Sequence, residues 1–305
     1  MLFQNRTIGK NQWWRYILVL ISTTLGFFIG QIPMIFLVEY KKKSLNISNE
    51  VFQKFISTND FSLLEIDNNT LLLLVLIPFV LAFVTFAYSV KKIQNKPLLQ
   101  IVTGRNIFDY KRVIFGLFLW IILASITTFI ILDPNTYNYQ FVSKNFIPLL
   151  FIALALIPFQ IAIEEIIFRG YLLQGLSFFS KYKLFPVLFT TIIFAVAHIG
   201  NPEFQSGIIQ ILPIYLIPSL LFGVITILDD GLELPIGLHL GNNLFVALVL
   251  SSTDGAMRTD SIFQTTIENI LPVLPIVLII TAITTLIIST HKYSWKLSTL
   301  LEKHS

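Results

Sequence analysis

Eight apolar runs, most of them about twenty residues long, recur along this 305-residue chain and leave it few ways to fold. Twenty helical residues rise about 30 Å, the hydrocarbon thickness of a bilayer, and within hydrocarbon a helix keeps its backbone N–H and C=O groups satisfied. Only 12% of the residues are charged and 55% are hydrophobic, against roughly 25% charged in a soluble domain. The reading is an all-α, polytopic integral membrane protein of about eight transmembrane helices, without a large soluble domain. The absence of Cys excludes a thiol nucleophile, thiolate metal ligands and disulfides.

The first run follows Trp13 and Trp14 and reaches about Val38. The next two are expected near 70–90 and 113–132. A fourth begins at Phe146, and four more lie near 184–200, 207–228, 233–252 and 269–290. Eight crossings place both termini on one side. With that side cytoplasmic, fifteen of the 21 Lys and Arg residues fall on it, six of them between Lys91 and Arg112. This is the positive-inside pattern, and it gives cytoplasmic N- and C-termini. The +4 net charge therefore speaks of membrane orientation, and no nucleic-acid partner is expected.

The fourth run carries Glu164, Glu165 and Arg169. Each costs about 2.5–3.5 kcal/mol at the centre of a spanning helix, so a partner or a use is expected. Glu165 and Arg169, four apart, share a helix face and can pair; Glu164 points about 100° away and is left as a candidate general base. The plain alternative is an ion pair stapling helices, with Glu164 a bystander. Of four His residues, His291 and His304 lie in the polar tail, whereas His198 and His239 lie in apolar runs. Singly, either could be a packing residue. Yet Glu164 and His198 stand seventeen residues on either side of Lys181, which puts them level in a helical hairpin. Phe194, one turn before His198, can pack beside its ring. His239 and Asn243 share a face, with Gly237 and Gly241 allowing close helix approach; Asn242 is expected to face away. A carboxylate, two imidazoles and an amide are the parts for activating water and stabilising a tetrahedral intermediate. Glu164, His198 and His239 are equally acceptable zinc ligands with one position open, and spacing does not separate the two chemistries.

Three patterns occur in order: Glu164-Glu165-Ile-Ile-Phe-Arg169, Phe194-Ala-Val-Ala-His198 and His239-Leu-Gly-Asn-Asn243. In these the chain resembles the CAAX prenyl protease and bacteriocin-immunity (CPBP, or Abi) family of intramembrane proteases, whose motifs are EExxxR, FxxxH and HxxxN. The resemblance covers roughly residues 145–252. Residues 1–144 would then be preceding transmembrane helices and loops, and 253–305 a last helix and basic tail. It implies a site in a cavity inside the bilayer, where Glu164 activates water, His198 helps position it, Glu165 is held by Arg169, and His239 with Asn243 forms the oxyanion hole. The preferred reading needs no cofactor; zinc is the alternative. The implied substrate is a membrane-anchored or membrane-associated protein or peptide, and the composition resembles bacterial members, at the plasma membrane. A different class, a non-catalytic scaffold or bacteriocin-immunity factor that binds a partner, uses the same residues as glue. A transporter would also use intramembrane Glu and His, but matching broken halves are not visible.

Overall fold

A computed structural model describes residues 2–58 and 60–303; His304 lies outside them. Helices α1 (Trp13–Gly30) and α2 (Ile32–Ser44) form one long run interrupted at Gln31, with Pro33 in the first turn of α2. Helix α3 (Asn49–Thr58) lies in the polar loop that follows. Helix α4 (Asn68–Ser89), capped by the Asp67 carboxylate on the Thr70 N–H, runs on through a π-helical turn at Val90–Gln94. The short α5 (Leu99–Val102) precedes α6 (Tyr110–Ile131), which Asp109 caps. Helix α7 (Ser143–Glu165) passes through a second π-helical segment, Ile166–Leu172, into α8 (Leu173–Leu176). Then come α9 (Leu184–Ala197), α10 (Ile208–Asp229), α11 (Glu233–Leu248), α12 (Ile267–Ile270) and α13 (Leu274–Tyr293).

Six runs among the described residues are long and apolar enough to cross a membrane: 13–44, 68–94, 110–131, 143–176, 208–229 and 274–293. The chain is an all-α polytopic membrane protein. The runs expected near 184–200 and 233–252 fold as the shorter α9 and α11, with 14 and 16 residues. Those lengths amount to about 21 and 24 Å, less than the hydrocarbon thickness. Helix α11 stops at Leu248 because Leu250–Ser252 leave it to form a strand. That strand, β2, pairs in parallel with β3 (Phe263–Thr265), which pairs antiparallel with β1 (Asn138–Tyr139). This small sheet was not expected from the sequence.

Lipid-facing surfaces follow from exposure. Ile114, Phe118, Ile122, Ile126 and Ile130 stand out along α6 at four-residue spacing, an apolar stripe that water would not tolerate but acyl chains would. The inner faces meet around α11. Gly237 and Gly241 bring it against α6 so closely that a Cβ on Gly237 would stand 2.1 Å from the Val113 carbonyl oxygen, and one on Gly241 2.7 Å from that of Leu117. Leu244 of α11 packs with Ile157 and Ile161 of α7, and Leu238 with Trp120 and Phe222. On the side where α10 turns into α11, Arg105 pairs with Asp229 (3.1 Å) and Glu233 (3.0 Å), and Arg112 also pairs with Asp229. Two cations of the basic loop thus clamp the two helix ends that carry site residues.

Candidate active site

The site starts at the π-helical segment. Adding a residue to a helical turn re-aims the side chains beyond it, and such segments cluster at functional sites. Glu165 closes α7 and Arg169 lies within the segment, and neither has any solvent exposure. Arg169 Nη1 donates to Glu165 Oε1 at 2.9 Å, the pairing that the i, i+4 spacing predicts. Its Nη2 donates to Ser219 Oγ of α10 at 2.8 Å, and its guanidinium lies 4.3 Å from the centre of the Phe194 ring on α9. One buried cation therefore ties α7, α9 and α10 together.

Glu165 Oε1 also accepts a hydrogen bond from His239 Nδ1 at 2.7 Å. A carboxylate held by Arg169 accepts only, so the imidazole proton sits on Nδ1. The opposite ring nitrogen, Nε2, points to Glu164, with 3.8 Å to Oε2. That gap is too long for a direct hydrogen bond and short enough for one water or substrate oxygen to touch both groups. Adjacent carboxylates thus face opposite ways, as the 100° step requires: Glu165 into the ion pair, Glu164 into a cavity.

The cavity measures about 280 Å³. Glu164, His198, His239, Asn242 and Asn243 line its polar end; Trp120, Phe245, Leu250, Ile270 and Leu278 are among the apolar residues along the rest. Asn242 does not face away, contrary to expectation. A three-residue step also keeps two side chains on one helix face, and Asn242 is three residues from His239. Its Nδ2 donates to Asn243 Oδ1 at 3.0 Å, which leaves the Asn243 amide N–H groups as donors. Gln160, one turn before Glu164, lines the same wall, and its buried Oε1 has no protein partner. Its i−4 spacing from Glu164 is the one sequence signal for it, and an uncharged amide in an apolar run carries little cost to draw notice.

His198 ends α9. Its Nδ1 donates to the Phe194 carbonyl at 2.7 Å, so Nε2 holds the lone pair. Phe194 packs against the ring at 4.4 Å, as its spacing predicts, and Tyr215 of α10 stacks on it at 4.6 Å. The sequence places His198 near the outer end of a span but His239 near the inner end of another. Helix α9, about 21 Å long, is shorter than a full crossing, and both imidazoles reach the same cavity. The chain then turns over 199–207, a partly exposed segment that places Asn201 and Glu203 in the cavity wall. Its turns close on themselves, Asn201 N–H on His198 C=O (2.9 Å) and Phe204 N–H on Asn201 C=O (3.1 Å).

Glu164, His198 and His239 all reach the cavity, but no group of three or more His, Asp or Glu side chains among the described residues is gathered so as to hold a metal ion. His198 and His239 each commit Nδ1 to a protein acceptor, as metal-bound imidazoles also do, and His239 Nε2 approaches Glu164. As arranged, the three residues proposed as zinc ligands are not gathered around one point, and no step below runs through a metal.

Comparison with known proteins bears on the same segment. Residues 145–245 match the family described as type II CAAX prenyl endopeptidase Rce1-like. The chain is similar to the uncharacterized protein YyaK of Bacillus subtilis (strain 168), with 29% identity over 248 residues covering 80% of each chain. No solved structure matches significantly. The matched segment contains all three motifs, and it supports a protease-type enzyme at the level of the family.

Proposed function

We propose that this integral membrane protein, whose residues 145–245 form an Rce1-like domain, is a glutamate-dependent intramembrane endopeptidase acting on a membrane-anchored or membrane-associated protein or peptide. The observation that carries the reading is the 3.8 Å separation of Glu164 and His239 at the polar end of a cavity within the helices. Glu164 accepts a proton from water as the water attacks the scissile carbonyl, and later delivers it to the leaving amine. His198, with its lone pair on Nε2, orients the attacking water. Asn243, its carbonyl engaged by Asn242, donates an amide N–H to the developing oxyanion. His239, bonded to Glu165 through Nδ1 and with Nε2 toward the cavity, adds a second oxyanion donor when Nε2 carries a proton. Arg169 in turn holds the Glu165 carboxylate in place. Both termini lie in the cytoplasm of a bacterial cell, on the charge asymmetry of the loops.

The test compares cells expressing equal amounts of wild type and Glu164→Ala, with mapping of new N-termini on membrane proteins by mass spectrometry. Termini absent from the variant are the expected result and would identify the substrate. Identical sets, with both proteins folded in the membrane, would instead point to a non-catalytic partner-binding role.

A further inference from the structure

The imidazole of His198 has one hydrogen-bond partner among the described residues, the carbonyl of Phe194 one turn back on its own helix. It also lies at the end of α9, where the chain leaves helical geometry and ordinarily frays. One hydrogen bond at Nδ1 selects the tautomer but does not by itself hold the ring against rotation out of that bond. What holds the ring is a row of four aromatic rings, Phe194, His198, Tyr215 and Phe204, with successive centres 4.4, 4.6 and 5.5 Å apart. Tyr215 is the member fixed from outside. Its hydroxyl accepts from Asn201 Nδ2 at 2.8 Å and donates to Glu203. The other Glu203 oxygen accepts from the Ala256 N–H at 2.9 Å, on the loop between β2 and β3. Tyr215, Asn201 and Glu203 belong to none of the three motifs.

We propose that Tyr215 is a positioning residue for His198: its ring, packed between His198 and Phe204, holds the imidazole in the orientation that presents Nε2 to the cavity. The ring carries the effect, and the hydroxyl only locates the ring. The consequence for turnover rests on the protease reading above; the consequence for the imidazole does not.

The experiment uses the full chain in detergent, with ¹⁵N-labelled histidine, and reads the His198 tautomer from long-range ¹H–¹⁵N correlations, identified by their loss in His198→Gln. Wild type and Tyr215→Phe are expected to give one His198 species protonated at Nδ1. Tyr215→Leu is expected to give averaged ring-nitrogen shifts. With a peptide spanning the cleavage position found by terminus mapping, Tyr215→Leu should lose kcat by about 10²-fold, the scale of a displaced reacting group. KM should stay within about twofold, and Tyr215→Phe should restore the rate. If Tyr215→Leu does not fold, Tyr215→Met fills more of the ring's volume and carries the same expectations. Unchanged His198 signals in the folded variant would overturn the proposal, as would a Tyr215→Phe protein that behaves like Tyr215→Leu. Altered signals alongside a wild type that cleaves nothing would support the positioning role and count against the protease reading alone.

Discussion

Arg169 is the side chain whose loss the structure makes most costly. It has no solvent exposure, donates to Glu165 at 2.9 Å and to Ser219 at 2.8 Å, and lies over Phe194 at 4.3 Å. In Arg169→Met the Glu165 carboxylate stays buried with only His239 as donor, and its Oε2 has no partner even in the intact protein. Breaking a buried pair from one side costs about 3–5 kcal/mol, because an uncompensated charge remains. At about 1.4 kcal/mol per decade this lowers the folding equilibrium constant by about two to three and a half powers of ten. Adding Glu165→Gln removes the stranded charge, so the double variant should be more stable than Arg169→Met, with a coupling of about 2 kcal/mol or more. Unfolding with SDS in mixed micelles, followed by Trp fluorescence on all four members of the cycle, measures both quantities. An Arg169→Met cost under about 1 kcal/mol, or effects that add within about 0.5 kcal/mol, would refute the view that this pair is a buried, mutually dependent unit.

Glu164→Gln keeps the cavity's shape and should abolish cleavage while leaving unfolding within about 1 kcal/mol of wild type, since the nearest basic partner of Glu164, His239 Nε2 at 3.8 Å, is beyond hydrogen-bond reach; residual turnover in folded protein would remove it from the mechanism. Asn242→Ala should lower kcat with little change in KM, because it frees the Asn243 carbonyl rather than a substrate contact; an unchanged kcat would place Asn242 outside the oxyanion site. Gly237→Val should destabilise by about 1–3 kcal/mol, since backbone of α6 must move, and a neutral effect would contradict the close α6–α11 approach. Lys96, beyond the end of the second span and bonded to Gln174 at 2.6 Å, is held by burial at a pKa of about 8, below its usual 10.5. A base with a depressed folded pKa penalises folding fully below about 8 and ceases to above 10.5. Relative to Lys96→Met, wild type should therefore gain stability between those values, by about 3 kcal/mol in all. SDS titrations across that range check it, and a flat difference would show that Lys96 is hydrated.

The helical architecture was legible because hydropathy and helix length answer to the same 30 Å of hydrocarbon. The runs at 70–90 and 113–132 lie inside α4 and α6 with its cap, where Asp67 and Asp109 mark the starts chemically. Legibility failed where apolar sequence does not mean lipid. The run at 233–252 is apolar without a break from Leu244 to Leu250, yet the helix ends at Leu248 and Leu250–Ser252 pair with Phe263–Thr265 inside the protein. Hydropathy cannot distinguish a side chain facing acyl chains from one facing a strand partner. The same blindness hides the π-helical segments, because Ile166–Leu172 reads as ordinary helix until tertiary contacts on Arg169 decide its winding.

Within the site, residues that carry charge in an apolar run announced themselves, since only function or pairing repays their cost. Glu164, Glu165, Arg169, His198 and His239 were found that way, and the helix period correctly separated the two carboxylates. Residues whose burial is cheap gave no such signal. Tyr215 and Ser219 look like any helix-packing hydroxyls, and Ser219 acquires its role solely by meeting Arg169 across fifty residues of sequence. Glu203 is charged but lies in the irregular segment after a short helix, where a loop outside the membrane was expected. The turn that follows α9 nevertheless makes Glu203 part of the cavity wall, a placement set by tertiary contacts rather than by hydropathy. Lengthening α9 by one turn, with four residues inserted after Phe189, would raise His198 by about 6 Å and separate it from Glu164. Cleavage should then be lost in a protein that still inserts. Retained activity would mean that His198 does not work at the depth of Glu164, and the shared site would have to be drawn without it.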